Sequence, residues 1–286
     1  MPVEQERFSM RKRVLGRFLR HNLALIGLFI VGSVIVAAVL APVIAPYDYR
    51  HIDAPSRLSA PSSQYLLGTD NLGRDLLTRI IFGARISLLI AFGATFMAVL
   101  IGIGIGGASG ALGGWTETVL MRFTDIILCI PRFFLVLVIS AVVGPSTFNT
   151  FLILGVTGWP TAARIVRGEI LALKESDYVT AAHAMGCSQA RVLFKHLLPN
   201  VIPSLIVFAT LFAANMIIYE ATLSFLGLGA QPPYPSWGNM LSAGRDSIYL
   251  AWWMSTFPGI AIFMTVLGLN FLGDGLRDAL DPKTSE

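Results

Sequence analysis

The sequence predicts an all-α polytopic membrane protein with six transmembrane helices. Of its 286 residues, 55% are hydrophobic and only 13% are charged, which is about half the charged share of a typical soluble domain. Six stretches are long and apolar enough to cross a bilayer, which takes about 20 residues each. The 21 lysine and arginine residues do not form a basic soluble module, so nucleic-acid binding is not expected.

The first predicted span is the charge-free segment 23–45. It exceeds the roughly 7–15 residues of a signal-peptide core, so we expect it to be retained. The other five spans are predicted at about 86–111, 126–143, 148–165, 201–225 and 251–271. Prolines lie inside some of them, and a bundled helix tolerates such kinks because neighbours re-satisfy the freed carbonyl groups.

The distribution of lysine and arginine predicts the orientation. Fourteen of these residues fall on the side of the termini and five on the other side, with Arg85 and Arg132 at the borders. The positive-inside rule then places both termini and the segment 178–200 on the cytoplasmic side of the membrane. The predicted organisation is a basic tail (1–21), a first helix (22–46), an extracytoplasmic loop (47–81), a five-helix core (82–281) that contains a cytoplasmic loop at 167–200, and a short tail (282–286).

One cytoplasmic segment is patterned unlike the spans around it. Residues 178–200 read YVTAAHAMGCSQARVLFKHLLPN. Asp177 is expected to cap a short helix and Gly186 to end it in a left-handed conformation. At helical spacing, one narrow stripe of mostly small apolar side chains contains Tyr178, Ala181, Ala182 and Met185.

A second short helix is predicted directly after it. Ser188 suits its N-cap, and Pro199 is expected to stop it before the fifth span. Its bulkier stripe contains Ala190, Leu193, Phe194 and Leu197, which could pack on the bundle itself. The first stripe allows close approach of another surface. A helix that lies on the membrane interface is the alternative for the segment.

The segment resembles the EAA loop of permease subunits of bacterial ABC importers, whose pattern is Glu-Ala-Ala, three residues, Gly, nine residues, then Ile-x-Leu-Pro. Ala181, Ala182, Gly186 and the Leu-Pro pair at 198–199 match, whereas Thr180 and His196 replace the Glu and the Ile. In that family the loop is a coupling helix that inserts into a groove of an ATPase subunit. The resemblance therefore implies ATPase coupling by Asp177, Tyr178, Ala181, Ala182, Met185 and Gly186.

Five further segments resemble the second permease of dipeptide, oligopeptide and nickel importers: LGTDNLGRD, GARISLL, EATLSFLGLG, PPYPSWGNML and NFLGDGLRDALDP. The resemblance implies a type I ABC importer permease fold and a place in the cytoplasmic (inner) membrane of a bacterial-type cell. It also implies a heterodimer with a homologous permease, two ATP-binding subunits and an extracytoplasmic substrate-binding protein. The chain lacks a GxxxxGK[ST] phosphate loop. It is thus predicted to be a translocation subunit rather than an enzyme, to bind no cofactor, and to rely on ATP and Mg on its partners.

Two polar residues of the fifth span are candidates for the translocation path or its gate. Glu220 lies well inside the span, where an acid is costly unless it is paired or hydrated. Asn215 lies five residues earlier. Contact with substrate and a structural hydrogen bond to a neighbouring helix are both open for Glu220.

Several other features have two interpretations. Gly102, Gly106, Gly110 and Gly114 recur every four residues, as in helices that pack closely within the chain or across a dimer. Arg122 is expected to pair with Asp125, and Arg132 to reach the cytoplasmic interface. The outer-loop charges at 70, 74 and 75 could meet a binding protein or tie the loop together. Two cysteines without CxxC spacing are predicted to be free thiols, and four scattered histidines predict no metal site.

The predicted function is import of di- or oligopeptides by alternating access, driven by ATP hydrolysis on the partners. Import of nickel or another small solute is the alternative within the family. A secondary transporter driven by an ion gradient would require an inverted repeat, and no convincing repeat is found. An intramembrane enzyme would require a nucleophile–base or metal pair within the spans, and none is visible.

Overall fold

The computed structural model describes residues 15–280. Within this range the regular structure is helical except for one antiparallel bridge between Thr69 and Asp75. The helices are α1 (Asn22–Val39), α2 (Ala41–Ile44), α3 (Leu76–Leu112), α4 (Gly114–Cys129), α5 (Arg132–Val143), α6 (Thr147–Lys174), α7 (Asp177–Ala184), α8 (Gln189–Val192), α9 (Leu198–Phe225), α10 (Trp237–Arg245) and α11 (Trp253–Leu280).

Helices α3 and α6 form the centre of the bundle and run in the same direction. Gly102, Gly106 and Gly110 of α3 face α6 so closely that a methyl group on any of them would collide with Ala162, Ala163 or Ile170. Small residues allow this approach because they leave room for the backbone of the neighbouring helix. The first three glycines of the repeat thus serve packing within the chain, whereas Gly114 lies beyond the end of α3, where an added methyl group would meet open space.

Helices α1, α9 and α11 complete the bundle around this pair. Gly27 and Ala24 of α1 meet Gly268 and Gly275 of α11, so these two helices are antiparallel. One end of the bundle carries residues 175–197, which we call the coupling end. The opposite end carries the loop 47–75 and α10, and we call it the loop end. The main apolar core lies between α3, α5, α6 and α9.

Four helical stretches are long and apolar enough to span a membrane: α1, α3, the continuous stretch 189–225 and α11. The predicted third span is not a straight helix. It is divided at Ile130–Pro131 into α4 and α5, which are bent by 83° and make a fifth span if they are taken together. The predicted fourth span lies in α6, which has the length of a span but not the apolar composition, since threonines, glycines, Trp159 and Pro160 interrupt it.

Two helix boundaries differ clearly from the prediction. Helix α3 begins at Leu76 instead of near Ile86, because Asp75 caps it and accepts a hydrogen bond from the N–H of Thr78 at 2.7 Å. Pro199 does not stop a helix. It lies in the first turn of α9, where its missing N–H costs little, and the chain continues from α8 through a π-helical turn at Leu193–Leu197 into α9.

Candidate functional site

The coupling end presents a short helix with well-defined ends. Ser176 is the N-cap of α7, so Asp177 lies in the first turn instead of at the cap. Its negative charge there interacts favourably with the helix dipole. At the other end Gly186 adopts φ +80°, as predicted. The N–H of Gly186 donates to the carbonyl of His183 at 2.9 Å and that of Cys187 to the carbonyl of Ala182 at 3.1 Å. These two bonds form a Schellman motif, which fixes the direction in which the chain leaves the helix.

One face of α7 is buried against the chain itself. Val179 is fully buried and Ala182 is 1% exposed. They belong to an apolar cluster with Val166 and Ile170 of α6 and with Val192, Leu197, Val201 and Leu205 of the following helices. The prediction that Ala182 shares an outward stripe is therefore wrong, since its methyl group faces the bundle. The cluster holds α7 against α6 as a rigid projection.

The other face of α7 is uncovered in this chain. Tyr178 and Ala181 are exposed, and Met185 is 78% exposed. Phe194, in the π-helical turn that follows, is 69% exposed, whereas Leu197 of the same predicted stripe is buried in the bundle. The outward surface of the coupling end thus consists of a small residue between large apolar ones. Such a surface is typical of a contact with another protein or with the membrane interface.

Glu220 lies at the centre of a buried hydrogen-bond network near the loop end. It is 0% exposed, and its two carboxylate oxygens accept from Ser87 Oγ at 2.9 Å and Ser224 Oγ at 2.7 Å. Ser236 Oγ donates to Ser224 Oγ at 3.3 Å, and the N–H of Trp237 donates to Ser87 Oγ at 3.4 Å. The carboxylate therefore joins α3 and α9 and, through the serines, holds the start of α10.

The structure does not bring Asn215 and Glu220 together. Asn215 lies on an exposed face of α9, where its Nδ2 donates to the carbonyl of Leu211 at 3.0 Å, whereas Glu220 points to the opposite, buried side. The geometry favours the structural interpretation of Glu220, because its oxygens are occupied by side chains of the same chain. Asn215 alone keeps a position from which it can meet a solute or another subunit.

Arg132 was not expected where the structure places it. Its guanidinium turns into the bundle, with Cζ 4.6 Å from the ring centre of Phe212 and 5.1 Å from that of Tyr219. Nη2 donates to the carbonyl of Leu154 at 3.0 Å. The contact holds the bend between α4 and α5 against α6 and α9. Phe212 and Tyr219 lie seven residues, or about two turns, apart on α9, so they share one face, and Tyr219 directly precedes Glu220.

Charged residues at the two ends form ion pairs that the sequence does not specify. Asp125 pairs with Arg164 of α6 at 2.6 Å and not with Arg122, and Glu117 pairs with Arg167. At the loop end Asp70 receives Arg74 at 2.7 Å and Arg79 at 3.5 Å. Asp70 thus ties the loop to α3, which is the second of the two roles considered for the outer-loop charges.

The rest of the loop 47–75 is held by a second carboxylate. Ser56 Oγ donates to Asp53 at 2.6 Å and Tyr65 Oη donates to it at 2.9 Å. These hydrogen bonds, first that of Ser56 and then that of Tyr65, lower the pKa of the Asp53 carboxyl because they favour its charged form. Gly73, at φ +77°, packs against the backbone of Asp53 so closely that a side chain would not fit.

The residues described hold no group of three histidine, cysteine or acidic side chains that could bind a metal ion. Cys129 and Cys187, both within that range, are free thiols, as predicted.

Family models match most of the chain. The binding-protein-dependent transport system inner membrane component matches residues 98–286, and the N-terminal transmembrane domain of oligopeptide transport permease C matches residues 9–61. The inward-facing methionine ABC transporter MetNI has a chain of similar fold, with a TM-score of 0.57, 20% identity, and coverage of 72% of this chain and 98% of that one.

Curated relatives extend over nearly the whole chain. The dipeptide transport system permease protein DppC of Alkalihalophilus pseudofirmus is 42% identical, covering 92% of this chain and 87% of the relative. The oligopeptide transport system permease protein OppC of Bacillus subtilis is 40% identical, covering 98% and 92%. The all-α membrane fold, the anchored helix α7 and these matches together show that the chain belongs to the family of inner membrane permease components of binding-protein-dependent ABC transport systems.

Proposed function

We propose that this chain is the permease subunit of an ATP-driven importer that moves di- or oligopeptides across the cytoplasmic membrane by alternating access. The substrate class rests on relatives at 40–42% identity whose names specify dipeptide, di/tripeptide or oligopeptide transport. As a permease component the chain is not itself catalytic, and the hydrolysis of ATP belongs to partner subunits. Import of nickel or another small solute remains the alternative.

The proposed architecture has six crossings with both termini in the cytoplasm. Successive long segments pass between the coupling end and the loop end, if α4 with α5 is one crossing and α6 another. The excess of lysine and arginine lies at the coupling end, which the positive-inside rule assigns to the cytoplasm. The proposed units are a first helix at 22–46 and a core at 82–281 that contains the loop 167–200.

One observation carries the proposal for coupling: α7 is anchored to the bundle on one face and uncovered on the other. The outward residues Tyr178, Ala181 and Met185 would enter a groove of an ATPase subunit. Asp177 and Gly186 would set the start and the end of the helix, and Ala182 would hold it from behind. Because the buried cluster makes α7 rigid with α6, a movement of the ATPase pair would be transmitted to the bundle.

The remaining proposed roles follow from placement. Asn215, on the open face of α9, would line the translocation path, and Glu220 would set the position of α10 at its outer mouth. A homologous permease would complete the path as a heterodimer. A substrate-binding protein would deliver peptide to the loop end, and two ATPases with ATP and Mg would bind at the coupling end.

Cysteine crosslinking in native membranes tests the coupling surface. A cysteine replaces Ala181 in a chain lacking Cys129 and Cys187, and it is paired with cysteines in the membrane-facing groove of the candidate ATPase. His183, exposed on the same helix but about 160° around its axis from Ala181, serves as the control position. We expect an ATP-sensitive crosslink at Ala181 that is much weaker at His183.

The substrate is tested in the same membranes by uptake of labelled dipeptide and of ⁶³Ni²⁺. Peptide uptake that depends on ATP and on the binding protein supports the proposal. Nickel uptake without peptide uptake would replace the substrate class but keep the coupling mechanism. Absence of a crosslink in every nucleotide state, together with uptake driven by an ion gradient, would overturn the importer proposal.

A further inference from the structure

Two apolar grooves meet at one arginine near the loop end. The first, of about 530 Å³, lies beside α3 and is lined by Tyr49, Phe82, Ile86 and Tyr234 among others. The second, of about 540 Å³, lies between α1 and α3 and is lined by Ile35, Val39, Leu88 and Phe92 among others. Arg85 and Leu89 line both grooves. The two apolar grooves therefore start from one shared arginine, Arg85.

Arg85 marks the level at which α3 enters the bilayer. It is the last charged residue of α3, since residues 86–112 carry no charged side chain. Aromatic residues surround it, with the rings of Tyr49 and Phe82 4.7 Å apart and Tyr234 on the same groove. Arginine and tyrosine at a span border are typical of the headgroup region of the membrane. The grooves below Arg85 thus lie where acyl chains run.

The rim of the grooves is cationic, and neither of its two arginines forms an ion pair with a carboxylate among the described residues. Arg85 is exposed and has no hydrogen bond or ion pair within residues 15–280. Arg50 lies over the rings of Tyr49 at 5.1 Å and Tyr234 at 5.9 Å, and its Nε donates to Tyr49 Oη at 2.9 Å, but it forms no ion pair with a carboxylate in that range. The nearby Asp48 accepts the backbone N–H of Arg50 at 2.8 Å. Arg85, and the guanidinium nitrogens of Arg50 that do not bond Tyr49, can therefore donate to an anion at this level.

We propose that this surface binds one anionic phospholipid, with its phosphate at Arg85 and Arg50 and one acyl chain along each groove. Two apolar grooves that start from one cationic point match the two chains that start from one glycerol. A helix of a partner protein would fill a single groove and would leave Arg85 without a counter-charge. The positive rim favours an anionic over a zwitterionic headgroup, because no acidic side chain lines either groove.

Native mass spectrometry of the full-length chain in its assembled complex tests this site. The probes are palmitoyl-oleoyl phosphatidylglycerol and the corresponding phosphatidylcholine, titrated separately. We expect Arg85→Gln and Arg50→Gln each to weaken binding of phosphatidylglycerol about fivefold, the change that corresponds to the ~1 kcal/mol of one basic residue at an anionic membrane surface. Arg85→Lys should retain most of the affinity.

Two further variants separate lipid binding from general effects. Arg122→Gln removes an exposed arginine at the coupling end, which forms no ion pair within the described residues, and should leave lipid binding unchanged. Leu89→Trp fills the junction of the grooves and should weaken phosphatidylglycerol binding while both arginines remain. Soluble glycerol phosphate at the same concentration should not displace the lipid, since it lacks the chains.

Three results would overturn the proposal. Equal affinity of the wild-type complex and the Arg85→Gln, Arg50→Gln double variant for phosphatidylglycerol would remove the role of the arginines. Equal affinity of the wild type for phosphatidylcholine would remove the headgroup preference. Unchanged lipid binding by Arg85→Gln together with loss of another subunit from the complex would assign the grooves to a protein partner.

Discussion

The two ends of the bundle differ in whether the chain itself provides the contacts of their key side chains. Near the loop end the chain itself completes the site, because Ser87 and Ser224 occupy both oxygens of Glu220. At the coupling end Met185 and Phe194 are 78% and 69% exposed, and no part of the described chain covers them. A buried polar network stabilises a fold, whereas an uncovered apolar surface marks a contact with another protein or with the membrane. Mutations at the two ends should therefore affect different properties.

The largest effect is expected from Glu220→Ala. It leaves the hydroxyl groups of Ser87 and Ser224 without their acceptor, and each buried orphan costs about 1–3 kcal/mol, so we expect a stability loss of about 3 kcal/mol. The measurement is thermal unfolding of the detergent-solubilised complex, monitored by the loss of the intact peak in size-exclusion chromatography. Glu220→Gln keeps an acceptor oxygen and should lose less than half as much. An unchanged melting temperature for Glu220→Ala would mean that the network does not stabilise the loop end.

The next largest effect is expected at the coupling end, on transport instead of stability. Ala181→Arg places a charge in the proposed interface, and a disrupted hot spot there costs about 2 kcal/mol, or about thirtyfold in association with the ATPase. Peptide uptake and peptide-stimulated ATP hydrolysis in proteoliposomes measure the loss. The melting temperature of the chain should not change, because Ala181 is exposed.

The adjacent residue gives the matched comparison. Ala182→Arg would place the charge in the cluster with Val179 and Ile170, so we expect it to destabilise the chain and to say little about docking. Normal uptake by Ala181→Arg would contradict a docking role for the outward face. Equal losses of stability in both variants would show that α7 has no free face.

A smaller effect is expected from Gly186→Ala. The residue has φ +80° and open space around its Cβ position, so the cost is the left-handed backbone alone, about 1 kcal/mol. We expect a reduction of uptake of about fivefold through misdirection of α7, measured as above. Gly186→Asn, which tolerates this conformation better, should lose less. A loss of uptake in Gly186→Asn as large as in Gly186→Ala would indicate that any side chain at this position is harmful, whatever its tolerance of the left-handed conformation.

The sequence predicts local features well and the partners of side chains poorly. The helical class, the left-handed Gly186 and the cap at Ser188 follow from residue type and spacing, and the structure confirms them. The direction of Ala182 does not follow, because a stripe of small residues looks the same whether it faces the bundle or a partner. The 83° bend at Pro131 and the pairing of Asp125 with Arg164 depend on which helices become neighbours.

The same limit applies to Arg132 and Asn215. An arginine at the border of a span is expected to reach the headgroups, but the aromatic pair Phe212 and Tyr219 on α9 offers its guanidinium a closer site. Asn215 and Glu220 share a helix and are separated by five residues, which places them on different faces. Proximity in sequence therefore suggested one site where the structure has a buried network and an open surface.

The smallest effect is expected from the titration of Asp53. It tests whether the loop 47–75 depends on this carboxylate or is held by Asp70 alone. Its pKa in the folded loop lies below the ordinary value, so its contribution to stability is complete above about pH 3.9 and is lost as the pH falls through the lower, folded-state value. Cleavage of the loop 47–75 by pepsin, monitored by mass spectrometry, should therefore rise only below about pH 4.

Two variants test the role of Asp53. Tyr65→Phe removes one of the two hydrogen bonds and should move this rise to higher pH, while Asp53→Asn should abolish the part of the rise that comes from Asp53. Identical cleavage profiles for wild type and Asp53→Asn would show that Asp70, with its two arginines, holds the loop without help from Asp53.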